Sequence, residues 1–187
     1  GGKTNIMLKA RELRLDLEKE SAETRNILTE IQRLESEGYQ FEAAEASFEL
    51  LVHHLMGHEK KFFETKDVVV SSERIGQDNP LVEADVTVLV KGKEESRAAS
   101  GNGPVDALYK ALRDALMKFY PVLEKIHLTD YKVRVVNSAG GTGAKVRVFI
   151  EFQDEKKTWT TVGVNENVIE ASWKALVEAI QYKLLKG

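Results

Sequence analysis

Apolar residues recur at helical spacing through the first part of the chain, as Leu8, Leu13, Leu15 and Leu17 and then Ile27, Leu28, Ile31 and Leu34. The stretch from Asn5 to about Met56 is rich in Leu, Glu and Ala and contains no Pro, so the spacing predicts several short helices. Gly38 breaks the run. Phe41, Ala44, Phe48, Leu51, Val52 and Leu55 then mark a last helix with one apolar face, ending near Gly57, and Glu42, Glu45 and Glu49 read as its solvated side. Past Gly57 the pattern becomes alternating, in Val68–Val70, Ala84–Val90, Tyr131–Val135 and Ala144–Ile150, which predicts strands. Turns separate them at Asp78-Asn79-Pro80, Lys91-Gly92-Lys93 and Gly140-Gly141-Thr142-Gly143. Two more helices are predicted, from Pro104 to Phe119 and from Val168 to Leu185.

These two helices are copies of one another. Ala107, Lys110, Ala111, Leu112 and Ala115 recur 64 residues later as Ala171, Lys174, Ala175, Leu176 and Ala179. The strands before them pair as well, Ala84–Val88 with Ala144–Val148. The unit is therefore three strands and a helix, used twice, over about 63–121 and 126–187. A single unit cannot bury both its sheet face and its helix, so the two copies should share a core with the helices against the sheets. The expected class is α+β, with a helical region over 1–62 and two repeated βββα units over 63–187. The exposed, charged stretch Gly57–Lys60 reads as a hinge between the two regions.

Charge and composition narrow the functions. A net charge of -3 with no basic block excludes the electrostatic footprint of a nucleic-acid binder. With no Cys there is no disulfide framework and no thiolate zinc site. The absence of a secretory leader and of an apolar run of about 20 residues gives the expectation of a cytoplasmic chain off the membrane. The start Gly1-Gly2-Lys3, without Met, reads as a segment of a longer protein carrying at least one foreign residue.

Gly101-Asn102-Gly103-Pro104 precedes the first repeat helix, with Pro104 suited to the first helical position, and Asn165-Glu166-Asn167-Val168 is its equivalent before the second. Two readings stand side by side: a seat for a ligand carboxylate on free N–H groups at the helix start, or ordinary capping by Asn, worth about 1 kcal/mol. From the residues alone capping is the commoner case. Gly140–Gly143 lies between strands, so it reads as a hairpin connection rather than a nucleic-acid clamp. His53, His54 and His58 have no carboxylate or thiolate completing a metal set at ligand spacing. His127, Trp159 and Trp173 read as packing or rim residues, and no nucleophile, base and oxyanion set is visible.

Several segments resemble the carboxy-terminal half of citramalate synthases, relatives of the isopropylmalate and homocitrate synthases. They are Lys3–Ala10, Glu37–Leu51, Gly101–Val105, Leu128–Val133 and Thr161–Trp173, so the likeness runs over nearly the whole chain. The resemblance implies helical linker segments followed by a LeuA-type regulatory domain that dimerises and binds the end-product amino acid near the subunit interface. It implies a parent enzyme that condenses pyruvate with acetyl-CoA to (R)-citramalate, in a metal-dependent TIM barrel whose His-x-His metal pair is missing from this chain. The fragment is accordingly expected to be inactive alone, with no cofactor of its own; the divalent metal belongs to the barrel. Carried over by motif, the effector site is Gly101, Asn102, Gly103, Pro104 and Val105 with Tyr131, Val133 and Val135, completed by Ala144, Val146 and Val164. Partners so implied are a second copy, isoleucine, the missing barrel, and neither nucleic acid nor membrane. A leucine-sensing isopropylmalate synthase domain and a purely structural dimerisation domain remain alternatives. Relatives of this kind carry a shorter Gly-Thr stretch where this chain has Gly140–Gly143.

Overall fold

A computed structural model describes residues 22–74, 76–137 and 143–187. The expected helical positions Leu8, Leu13, Leu15 and Leu17, the segment Lys3–Ala10, and Gly140–Thr142 of the glycine turn lie outside the described residues. The element order is α1 (Ala22–Ser36), α2 (Glu45–Leu55), β1 (Glu64–Glu73), β2 (Leu81–Val90), β3 (Lys93–Gly101), α3 (Pro104–Met117), a 3-10 turn (Pro121–Lys125), β4 (His127–Asn137), β5 (Ala144–Gln153), β6 (Thr158–Asn165) and α4 (Val168–Lys186). Among the described residues the class is α+β, with four helices and two three-stranded antiparallel sheets, β1-β2-β3 and β4-β5-β6, each followed by a helix. Lys91 and Gly92 form the two-residue β2–β3 connection, both at positive φ (50° and 81°), the backbone twist that a tight antiparallel hairpin needs.

Each sheet turns one face to its helix. Val82, Ala84, Val86 and Val88 of the first sheet and Val148, Ile150 and Phe152 of the second are buried in one core with Leu108, Leu112, Leu116, Leu176 and Ile180 of α3 and α4. The two units are joined there by Tyr109, whose ring meets Phe152 edge-on at 5.0 Å and whose hydroxyl donates to the Ile126 carbonyl at 3.0 Å. The outer faces differ. Thr87 and Ser96 share a hydrogen bond of 2.7 Å on the exposed outer side of the first sheet. Val162 and Val164, on the outer side of the second, are buried under Ile27 and Ile31 of α1 and Phe41, Ala44, Phe48 and Val52 in and before α2.

The α1–α2 hairpin is pinned to that outer face at Gly38, which sits at φ 116°. An added Cβ there would meet Val136 at 3.0 Å, and the Gly38 carbonyl accepts from Arg147 Nε at 2.6 Å. One expectation needs correcting here. Glu42 and Glu45 are exposed, but Glu49 is only 1% exposed, with Oε1 accepting from Lys186 Nζ at 2.8 Å. Helix α2 buries two sides rather than one. Phe48 and Val52 face α1 and the second sheet, while Ala46 joins the main core and Glu49 lies under the last turn of α4. Residues 57–61 beyond it are exposed, and Gly57 has φ 77°.

Candidate effector site

The start of α3 is shaped by its two glycines in different ways. Gly101, at the end of β3, lies under the first turn, where an added Cβ would meet the Ala107 backbone N at 2.5 Å. Gly103, the N-cap, has nothing within 4 Å of such an atom and an extended backbone (φ -171°) that any residue adopts. No side chain caps this helix start. Of the donors at the turn, the Asn102 N–H is taken by Asp106 Oδ2 at 3.0 Å, and Asp106 is in turn neutralised by Lys110 at 3.1 Å. The Val105 and Asp106 N–H groups, in the first helical turn, have no carbonyl to bond within the helix. The start of α4 is different: Asn167 Oδ1 accepts from Ile169 N at 2.8 Å and Glu170 N at 3.2 Å. Capping by Asn, one of the two readings of the sequence, therefore describes the second helix, and the first is left uncapped.

Helix α4 lies over β5 and β6, and this leaves the inner face of β4 uncovered. Tyr131, Val133 and Val135 alternate along that face, opposite Ile150, Val148 and Val146, and are 37%, 42% and 73% exposed. The Tyr131 hydroxyl is 3.1 Å from Ser172 Oγ, which donates to the Val168 carbonyl at 2.7 Å, so the strip runs up to the exposed Val168 at the start of α4. Ala144 and Val146 continue the strip on β5. Val164 does not share it: it pairs with Arg147, one residue out of phase, and is buried on the outer face under the helical hairpin. The Gly101–Val105 turn belongs to the first unit and β4 to the second, so the predicted site is split between the two units of the chain.

The family model of the LeuA allosteric (dimerisation) domain matches residues 42–184. The chain belongs to this family. That match begins before α2, within the helical region. Over 186 residues, 99% of the chain, it is 48% identical to an (R)-citramalate synthase of Aquifex aeolicus; over 187 residues it is 47% identical to one of Geobacter sulfurreducens. Similarity extends to an (R)-citramalate synthase of Sulfolobus acidocaldarius, 34% identical over 98% of the chain. The chain spans about a third of the length of these relatives, 35%, 35% and 33% respectively.

Among the described residues no three His, Cys, Asp or Glu side chains are placed to hold a metal ion, and no helix is long and apolar enough to cross a membrane. His54 Nδ1 is instead 2.8 Å from Glu59. Trp159 is a packing residue, its indole N–H donating to the Ala179 carbonyl at 3.0 Å, and His127 is exposed. Two groups with no signal in the sequence are Glu178 and Asp154. Both owe their surroundings to segments distant in the chain, Ser47 for one and Lys183 for the other.

Proposed function

We propose that this chain is the regulatory part of an (R)-citramalate synthase: a homodimer of duplicated βββα units that binds isoleucine and so inhibits condensation of pyruvate with acetyl-CoA by the rest of the protein. The observation that carries this reading is the uncovered apolar strip of Tyr131, Val133 and Val135, in a chain similar along its whole length to proteins of that name. A two-fold partner would cover the strip, since isologous pairing buries the same patch on both copies. The split site also becomes intelligible, because a partner could bring its α3 start, with uncapped N–H groups for a carboxylate, to the β4 strip of this copy. Under this reading residues 1–62 are the linker to a cytoplasmic, metal-dependent catalytic barrel, and the fragment alone does not turn over substrate.

The dimer is tested by sedimentation at micromolar concentration. Val135 is 73% exposed in the protomer, so Val135→Asp should fold normally. A charge buried unpaired in an interface costs about 3–5 kcal/mol, which is roughly two decades or more of dimer affinity. A Val135→Asp dimer as tight as the parent would exclude this strip from the interface.

Calorimetry with isoleucine, leucine and valine tests the ligand. Gly103→Val is a clean probe, since the position is open and its φ is ordinary. Its melting temperature should match the parent within error while isoleucine binding weakens about tenfold or more, roughly 1.4 kcal/mol. Preferred binding of leucine would move the chain to the isopropylmalate synthase reading. No heat from any of the three would leave a structural dimerisation domain, and unchanged affinity in Gly103→Val would place the ligand elsewhere.

A further inference from the structure

A cleft of about 320 Å3 lies between α2, α4 and residues 58–61, away from the β4 strip. Its walls are largely aliphatic, from Leu50 and Leu51 on α2 and Val177 and Leu185 on α4. Glu178 is set among them. Its carboxylate receives the Ser47 hydroxyl at 3.1 Å, and no cation among the described residues lies within ion-pair distance of it. Glu178 is half-buried, and the repeat shows that this is not a property of the helix: the counterpart Asp114, at the same place on α3, is exposed and paired with Arg113 at 3.4 Å. Glu178 is enclosed because α2 docks on α4 and on no equivalent part of α3. A carboxyl group held in apolar surroundings without a counter-ion is costly, and an apolar cavity with one such group is the usual form of a small-molecule site.

The charged groups around Glu178 are mostly at a distance or engaged. Lys174, one turn earlier on α4, is directed to the Val164 carbonyl at 3.5 Å, and the Tyr39 phenol before α2 is near enough to feel the charge of Glu178. On α2, His54 is held by Glu59, and His53 also lines the cleft. From the 58–61 segment come His58, Lys60 and Lys61, of which Lys60 lies over the Phe62 ring at 5.0 Å. Gln181 fixes the end of this segment, accepting from Phe62 N at 2.9 Å and donating to the Phe63 carbonyl at 3.0 Å. The cleft thus combines one carboxyl without an ion-pair partner among the described residues, Glu178, aliphatic walls, and the basic side chains of His58, Lys60 and Lys61 beside the His54–Glu59 pair.

We propose that this cleft binds a short aliphatic chain with an ammonium group at one end, seated on Glu178, and an anionic group at the other, facing Lys61 and His58 at the rim. This site is separate from the effector seat and does not depend on that reading. Burial pushes the Glu178 carboxyl up to about 8, against the hydrogen bond from Ser47 and the charge of Lys174. Near neutral pH the free site is therefore mostly the neutral acid. An arriving ammonium ion pairs with the carboxylate, and the carboxyl proton leaves to solvent.

The probe is δ-aminovalerate, which has both ends but is not an α-amino acid, with valerate as the compound lacking the ammonium group. Titration calorimetry near pH 7 in two buffers of different ionisation enthalpy should show close to one proton released per δ-aminovalerate bound, and no release above about pH 9.5. Valerate should bind at least tenfold more weakly. Glu178→Gln keeps the size and the Ser47 contact, so it should melt at or above the parent temperature yet bind δ-aminovalerate at least tenfold more weakly. The proposal is overturned by no difference between the two probes, by binding without proton release in the parent protein, or by unchanged affinity in folded Glu178→Gln. The proton count is read on the parent protein, so it stands even if the variant misfolds.

Discussion

Gly163→Ala should cost about 3 kcal/mol or more of stability, at or beyond the upper end of what overpacking a core usually costs. The inner side of β6 at this residue is in contact with the backbone of α4. A Cβ built there would fall 2.0 Å from the Ala171 carbonyl oxygen and 3.2 Å from the Ala175 N, and these are backbone atoms that cannot rotate away. The helix would have to lift from its sheet, opening the core around Val148, Ile150 and Leu176. For a chain of this size each kcal/mol moves the melting temperature by about 2–4 °C, so a fall of roughly 6–12 °C or outright failure to fold is expected. Gly103→Ala is the matched control: its Cβ would meet nothing within 4 Å, and a change within about 0.5 kcal/mol is expected. Equal melting temperatures for Gly163→Ala and Gly103→Ala in a thermal scan would refute the close helix-on-strand packing.

Asp154→Ala should cost about 3–5 kcal/mol, because it leaves Lys183 buried without its counter-ion. The two side chains are 7% and 5% exposed, with Lys183 Nζ donating to Asp154 Oδ2 at 2.6 Å. Asp154 Oδ1 accepts from Lys156 N at 2.8 Å and Lys157 N at 2.9 Å, so one carboxylate both closes the β5–β6 turn and anchors α4 to it. Lys183→Met should cost less than half as much, since an aliphatic chain replaces the buried charge and Asp154 keeps its two N–H donors. Asp154→Leu with Lys183→Met should recover most of the loss.

The acid range gives a second check on the same pair. Burial alone would raise the Asp154 carboxyl, but the Lys183 hydrogen bond and the two N–H donors outweigh it and hold the group well below the usual carboxylate range. The unfolded chain therefore binds this proton at higher pH than the folded one does, and the contribution of Asp154 is full above its unfolded value of about 3.9. As pH falls through the depressed folded value that contribution is lost. In urea melts the gap between the parent and Asp154→Asn should be constant from about pH 5 to 8 and narrow below about pH 4. A gap under about 1 kcal/mol for Asp154→Ala, or one that does not narrow in acid, would show the pair to be incidental.

What the residues alone determined is local or periodic. Alternation at Ala84–Val90 and Ala144–Ile150 defined the strands, and the recurrence of Ala107, Ala111, Leu112 and Ala115 as Ala171, Ala175, Leu176 and Ala179 fixed which helix faces are buried, all at 0% exposure. Lys91-Gly92 was legible as a turn because a two-residue hairpin needs positive φ. Periodicity says which face is apolar; it does not say what comes to cover it. Glu49 and Glu178 look like ordinary exposed helix acids, and only the docking of α2 between the second sheet and α4 buries the first and encloses the second. Val164 belongs to the same segment as the expected site but points to the other face, since alternation assigns a face only once strand pairing sets the phase. Gly101, Gly103 and Gly163 are indistinguishable as letters. Two are required by backbone atoms brought against them from elsewhere and one stands in open space, a difference that arises only when helix and strand are packed together.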